Sequence, residues 1–164
     1  MGLIVESFRP ISKVEGSIKM IQLAYTSTAS VPFSTDMLKR LLRQSRSANV
    51  PWEITGILLY HLGAFFQVLE GPEASVGSLL ASLRRDTRHR GIRILFRRPL
   101  EKREFTDWTM AFVDTSLWRL DGFVGYSTQL PELLAGETAA KRYLRLFHQG
   151  IGRQTPGVLS KALF

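Results

Sequence analysis

The sequence predicts an α+β fold with the element order βαββαβ, followed by an added strand and C-terminal helices. Three observations support this prediction. Segments with apolar residues at every second position alternate with segments that carry apolar residues at helical spacing. Prolines and glycines stand between these segments, where a helix or strand must end. The chain has 164 residues and is 45% hydrophobic, which is enough to build one buried core.

The first strand and the first helix are predicted between residues 19 and 49. Residues 19–27 alternate in polarity and so read as a strand. The residues that share one face of this strand are Ile21, Leu23 and Tyr25. Ser34 is a predicted N-cap, and the helix that follows should end near Asn49 because Pro51 cannot continue it.

A hairpin and a second helix are predicted next. Residues 54–61 and 64–70 read as two strands joined by a tight turn at Leu62-Gly63. Gly71-Pro72-Glu73 then begins a helix, with proline near its first position. The charged residues expected to crowd its end are Arg84, Arg85, Asp86, Arg88, His89 and Arg90. The fourth and fifth strands are predicted at Ile92–Phe96 and Trp108–Phe112.

This order matches a ferredoxin-like sandwich, in which two helices cover one face of the sheet. The other face needs a cover, and an amphipathic helix predicted near 137–149, ending at Gly150, can supply it. We therefore expect an N-terminal extension at 1–18, a folded domain at 19–115 and a C-terminal helical cap or output segment at 116–164.

Composition excludes several classes of function. The chain has no cysteine, which excludes disulfides, thiolate metal sites and a thiol nucleophile. Its histidines show no metal-ligand spacing, so no metal site is predicted. The net charge of +8 favours anionic partners or a solvated basic surface. No long apolar run and no signal-peptide pattern occur, which predicts a cytoplasmic protein without a membrane span.

Gln67 is the unusual residue of the hairpin, because it interrupts an apolar run that reads as a buried strand. A buried amide without partners costs about 1–3 kcal/mol, so Gln67 should have a specific polar partner. An amide both donates and accepts hydrogen bonds and can reverse them by rotating. Because the first and third strands are neighbours in a ferredoxin-like sheet, we expect Tyr25 close to Gln67, with Trp108 and Met110 converging on them from the fifth strand.

From about residue 20 to 114 the chain resembles a BLUF domain, a blue-light sensor that uses a flavin. The motifs that carry the resemblance are Ala24-Tyr25-Thr26-Ser27, Ser45…Asn49, Thr55-Gly56, Phe65-Phe66-Gln67-Val68-Leu69-Glu70-Gly71, Asp86…Arg88-His89 and Phe105…Trp108…Met110. They occur in order and at compatible spacings, and together they are far more specific than any one of them. One departure is Ala48, where relatives often carry a polar residue that helps to bind the flavin.

The resemblance implies a non-covalent FAD between the two helices. It implies that Tyr25 donates an electron and a proton in the light, and that Gln67, between Tyr25 and the flavin, rotates or tautomerises. After this change Gln67 would form an extra hydrogen bond to the flavin C4 carbonyl. That bond would shift the absorption of the flavin slightly to the red. The other residues implied to contact or relay from the flavin are Asn49, Arg88, His89, Met110 and Trp108.

The resulting hypothesis is a photoreceptor without an enzymatic domain of its own, which signals through the fifth strand and the C-terminal helices to a separate protein or through a homo-oligomer, a dimer or larger. A basic ferredoxin-like module that binds nucleic acid is the alternative, since such folds do bind RNA. A light-independent flavoenzyme is a third class, but no GxGxxG follows a strand.

Taken singly, each of these residues has an ordinary structural interpretation. Trp52 and His61 are interpreted as structural, and His89 equally well as a solvated helix end. The arginines and lysine interpreted as a solvated basic patch are Arg97, Arg98, Lys102 and Arg103.

Overall fold

The computed structural model describes residues 18–106, 111–114 and 136–150. Within these residues the strands are β1 (Met20–Ala29), β2 (Thr55–His61), β3 (Ala64–Pro72), β4 (His89–Pro99) and β5 (Ala111–Asp114). The helices are α1 (Thr35–Asn49), α2 (Glu73–Arg85) and α3 (Ala139–Gly150), and a 3-10 turn covers Val50–Trp52. No helix in this part of the chain is long and apolar enough to cross a membrane.

The strands form one sheet in the order β4-β1-β3-β2-β5. The first four strands pair antiparallel, and β5 joins the outer edge of β2 in parallel. This is the predicted ferredoxin-like sheet with its added strand. In the register of β1 and β3, Tyr25 lies directly opposite Gln67, so the two residues occupy neighbouring positions on inner strands.

The hairpin between β2 and β3 turns at the predicted residues. Leu62 and Gly63 both have positive φ, at 43° and 85°, which is typical of the tight turns that match strand twist. Gly56 meets a different constraint, because a Cβ there would lie 2.0 Å from the Val68 carbonyl oxygen on β3. The Thr55-Gly56 pair of the motif therefore allows β2 to approach β3 closely.

Both helices on the first face bury an apolar stripe against the sheet, and α1 begins at a capping residue. The Ser34 side chain caps α1 by accepting a hydrogen bond from the Met37 amide at 3.3 Å, as predicted. Leu38 and Leu42 bury the apolar stripe of α1 against the sheet, and Val76 and Leu80 do so for α2. These side chains join Tyr25, Leu58 and Leu69 in one core.

Helix α3 covers the opposite face of the sheet, as the sequence predicts. Ala140 and Leu144 are fully buried in a second core. The sheet and loop residues of that core are Ala24, Ile57, Leu59, Phe66, Val68 and Phe105. The Thr138 hydroxyl accepts a hydrogen bond from the Lys141 amide at 3.4 Å and caps the helix. The two faces of the sheet thus have separate cores.

The boundary between α2 and β4 differs from the prediction. Helix α2 ends at Arg85, and His89 is already the first residue of β4, which is longer than Ile92–Phe96. The strand starts early because its pairing with β1 extends from Ile21–Pro99 to Ala29–His89. The predictions for the N-terminal extension, for Trp108 and Met110, and for most of residues 116–164 lie outside the described residues.

Candidate functional site

A cavity of about 330 Å³ lies on the α1–α2 face of the sheet. Its apolar wall includes Leu41, Leu58, Phe65, Leu79 and Leu83, and its polar groups include Gln44, Asn49, Gln67, Arg88 and His89. Both α1 and α2 supply residues to it, and β1 and β3 supply Tyr25 and Gln67. The volume is in the range of small-molecule sites, and a mostly apolar wall with a few polar groups is typical of them.

Tyr25 and Gln67 form a direct hydrogen bond inside this cavity. The Tyr25 hydroxyl donates to the Gln67 Oε1, and both side chains are buried. Burial raises the pKa of the Tyr25 phenol well above its ordinary value of 10, and the negative charge of Asp86 raises it further. The phenol is therefore protonated and holds the amide in one orientation. The polar partner that Gln67 requires is the predicted one.

Asn49 is the last residue of α1 and is buried at the cavity wall. Its backbone carbonyl accepts a hydrogen bond from the Ile54 amide at 3.0 Å, which ties the end of the helix to the start of β2. An amide side chain presented there can donate and accept along the edge of a heterocycle. Ala48, the departure noted in the motif, also lines the cavity and offers no polar group.

Arg88 holds the two helices together at the cavity. Its Nε donates to both carboxylate oxygens of Asp86, at 2.9 and 3.0 Å, and its Nη1 donates to the Gln44 side chain of α1 at 3.0 Å. The hydrogen bond from Arg88 lowers the pKa of Asp86, and that same bond raises the pKa of Arg88. The ion pair is thus fully charged at neutral pH and orders the Arg88 guanidinium next to the cavity.

His89 is not at a solvated helix end, which was one interpretation of the sequence. Its Nδ1 is 2.8 Å from the Ser27 hydroxyl on β1, and its ring lies against the edge of Phe65 with centroids 6.2 Å apart. Burial lowers the pKa of His89 below 6.5, the positive charge of Arg88 lowers it further, and the charge of Asp86 opposes both. The imidazole is therefore neutral near pH 7.

The lowered pKa of His89 predicts an acid-sensitive fold. The unfolded chain takes up a proton near pH 6.5, whereas the folded chain resists it until lower pH, so acidification below 6.5 stabilises the unfolded state. We expect the free energy of unfolding to fall as the pH drops from 7.5 to 5.5. Urea denaturation of wild type and His89→Gln across this range measures it. An equal pH dependence in both proteins would contradict the assignment to His89.

A second group of buried polar side chains lies on the α3 face. Glu70 on β3 is 0% exposed, and its carboxylate accepts from the Gln22 amide at 2.7 Å and from the backbone amides of Glu104 and Phe105 at 3.1 Å. Arg98 donates to Gln22 and pairs with Glu104. Glu104 in turn accepts from the Thr138 hydroxyl at 2.7 Å. We call Gln22, Glu70, Arg98, Glu104 and Thr138 the anchor network.

The interpretation of Arg98 and Arg103 as part of a solvated patch is therefore wrong, whereas Arg97 and Lys102 are exposed at the surface, as interpreted. Arg97 pairs with Glu73, and Arg98 belongs to the anchor network. Arg103 donates to the backbone carbonyls of Glu70 at 2.8 Å and Glu53 at 2.6 Å. Charge patterning alone could not reveal these bonds, because each partner except Glu104 is distant in sequence.

Most of the predicted site residues surround one cavity, namely Tyr25, Asn49, Gln67, Arg88 and His89. Trp108 and Met110 lie outside the described residues, so their relay role stays a prediction. Sequence reasoning missed Trp52, which lines the cavity, and Gln44, which holds Arg88. The sequence did contain one signal for Trp52 at the cavity, because Trp52 follows the predicted site residue Asn49 by only three positions.

The residues around the cavity fit a planar heteroaromatic group such as a flavin ring. Leucine and phenylalanine side chains provide apolar surface, while the buried amides of Asn49 and Gln67 can bind the polar edge of such a ring.

Comparison with known proteins agrees with this arrangement. The family described as sensors of blue-light using FAD, BLUF, matches residues 20–111. Photoactivated adenylate cyclase subunit alpha of Euglena gracilis is 36% identical over 106 residues, which are 64% of this chain. The chain spans only 10% of the length of that cyclase subunit.

Solved structures show the same similarity. The structure described as BlrP1 BLUF is 32% identical with a TM-score of 0.65, and the match covers 86% of this chain and 98% of that one. The dark-state structure of BlrB, a BLUF protein, is 32% identical with a TM-score of 0.57, and the match covers 60% of this chain and 74% of that one.

Proposed function

The chain belongs to the BLUF family of blue-light sensors that use a flavin, and on that premise we propose that Tyr25 and Gln67 are its photoactive pair. The observation that supports this most directly is the hydrogen bond from the Tyr25 hydroxyl to the Gln67 amide inside the cavity. The remaining proposed cofactor contacts are Asn49, Arg88, His89 and Met110.

A bound flavin would absorb the light and, once excited, would be a strong oxidant. Tyr25 supplies an electron and the phenolic proton, which its raised pKa keeps in place until oxidation acidifies the phenol. Gln67 accepts that proton at Oε1, because Oε1 is the acceptor of the hydrogen bond. When electron and proton return to Tyr25, the amide settles rotated or tautomerised. No net reaction occurs, and the product is a changed hydrogen-bond pattern around Gln67.

FAD is the flavin we propose, following the description of the family. The residues proposed to hold its ring are Asn49 at the end of α1, Arg88 just before β4 and His89 at the start of β4. Asp86 and Gln44 orient Arg88, and Ser27 and Phe65 orient His89. Ala48 offers no polar side chain, which leaves this end of the site to Asn49 and to the other polar residues of α1 that line the cavity, Gln44 and Ser45.

We divide the chain into an extension at 1–18, a sensory domain at 19–115 and an output segment at 116–164. The light signal is proposed to pass from the sensory domain through β5 to the output segment. Trp108 and Met110, which precede β5 in the chain, are the proposed relay residues. The anchor network offers a second contact route, because Gln22 and Glu70 stand three residues from Tyr25 and Gln67 on the same strands. That network ends at Thr138, the cap of α3.

A change of Gln67 is therefore proposed to alter the docking of α3. A light-regulated adenylyl cyclase is among the relatives of known structure, with 27% identity. For this chain we propose a cytoplasmic sensor without enzymatic activity that signals to a separate protein or through a homo-oligomer.

A spectroscopic experiment tests the proposed function. The purified protein should be yellow, and blue light should shift its flavin absorption slightly to the red, with recovery in the dark. The shift follows from a new hydrogen bond and not from a lasting change in redox state. The dark spectrum should therefore be the same after repeated cycles of light and dark. A protein that binds no flavin, or that bleaches without a red shift, would refute the proposal.

A further inference from the structure

Trp52 is a large aromatic side chain at the cavity that the proposed mechanism does not use. It lines the cavity and is nevertheless 52% exposed. An aromatic face that borders a cavity and is still reached by water can bury further apolar surface when a ligand fills the cavity. Val50, on the same turn, is 61% exposed but does not line the cavity. The two side chains therefore provide a matched comparison within one turn.

The turn that carries Trp52 is held in place from several sides. Val50–Trp52 is a 3-10 turn with proline at its second position, and the Glu53 amide closes it on the Val50 carbonyl at 3.1 Å. The Ile54 amide is bonded to the Asn49 carbonyl at 3.0 Å, and Arg103 donates to the Glu53 carbonyl at 2.6 Å. Glu53 itself adopts a left-handed conformation with φ of 54°. These hydrogen bonds fix the backbone on both sides of Trp52.

We propose that Trp52 stacks on a planar ring of the flavin cofactor and closes the mouth of the cavity. This inference rests on the proposed function, since it concerns the same site. Stacking suits an indole because its face is large, rigid and polarisable, and it would bury apolar surface that is otherwise in water. The ring that it meets is either the isoalloxazine or the adenine of FAD, and both offer the same flat heteroaromatic face.

The test measures flavin affinity in the full chain after removal of bound flavin. Wild type, Trp52→Ala, Trp52→Phe and Val50→Ala are titrated with lumiflavin, FMN and FAD. We expect Trp52→Ala to bind about tenfold more weakly, the effect typical of losing one aromatic stacking partner. Trp52→Phe should stay within about threefold of wild type, because a phenyl ring still stacks. Val50→Ala should bind as wild type does.

The three ligands identify the ring. A loss for lumiflavin, FMN and FAD alike supports stacking on the isoalloxazine, and a loss for FAD alone supports stacking on the adenine. Iodide quenching of the bound flavin should increase in Trp52→Ala, because the mouth is then open. Thermal unfolding followed by circular dichroism verifies that Trp52→Ala folds. If it does not, Trp52→Leu, which also lacks an aromatic face but keeps more of the side-chain volume, is titrated in its place with the same expected loss.

Equal affinities and equal quenching in wild type and Trp52→Ala would overturn the inference and leave the proposed function intact. A wild type that binds none of the three ligands would instead overturn the proposed function together with this inference.

Discussion

Replacing Tyr25 by phenylalanine should abolish the light-induced red shift while the flavin still binds. The substitution removes the only oxygen of this side chain, which donates to Gln67 Oε1 and is the proposed source of electron and proton. A phenyl ring is much harder to oxidise than a phenol. The ring volume is kept, so we expect the free energy of unfolding to change by no more than about 1–3 kcal/mol, the cost of one buried hydrogen bond. Difference absorption spectra before and after blue light measure the effect.

Tyr60→Phe is the matched control for this prediction. Tyr60 is a buried tyrosine of the same core, but its hydroxyl accepts from the Phe33 amide at 2.9 Å and it does not line the cavity. We expect this variant to keep the full red shift.

Gln67→Leu should lose the red shift as Tyr25→Phe does, because it removes the amide whose hydrogen bonds are proposed to change. A normal red shift in Tyr25→Phe would disprove the role of the phenol.

Replacing Glu70 by alanine should lower the free energy of unfolding by about 3–5 kcal/mol, because several buried donors lose their acceptor at a cost of about 1–3 kcal/mol each. The carboxylate is 0% exposed, and without it the Gln22 side-chain amide and the backbone amides of Glu104 and Phe105 lose their acceptor. The lost side-chain volume also leaves a cavity beneath α3. Urea denaturation of wild type and variant gives the difference.

The control is Glu73→Gln, which removes a negative charge three residues later in the chain. Glu73 pairs with Lys19 and Arg97 at the surface, so its loss should cost less than about 1 kcal/mol. Hydrogen exchange adds a local readout: α3 amides should exchange faster in Glu70→Ala than in Glu73→Gln, because Thr138 is tied to Glu70 through Glu104. Similar stability losses in both variants would contradict the anchor role of Glu70.

The two faces of the sheet therefore present different groups of polar residues from the same two strands. Odd-numbered residues of β1 and β3, among them Tyr25 and Gln67, face α1 and α2, and even-numbered residues such as Gln22 and Glu70 face α3. Because side chains alternate across a strand, a change of hydrogen bonding on one face can reach the other through a few backbone residues. The structure thus separates the proposed photoactive pair from the anchor network, which reaches the cap of α3, by only three residues along each strand.

The sequence alone determined the elements and their order. Alternating polarity, the Ser34 cap, the proline after α1 and the Leu62-Gly63 turn are local signals, and each element that they predict occurs in the described residues. The order of the elements then made β1 and β3 neighbours, which placed Tyr25 next to Gln67. The motifs of the family indicated a flavin, which residue patterns alone could not name.

Only the tertiary structure decided how the polar residues are paired. Arg98 and Arg103 look solvated in the sequence, yet they bond to Gln22, Glu53 and Glu70, which are far away along the chain. His89 begins β4 because an edge strand continues for as long as β1 offers it a partner. Trp52 lies at the cavity because a short turn returns the chain beneath α1. Such contacts depend on which elements meet in space, whereas periodicity reports only which face of its own element a residue occupies.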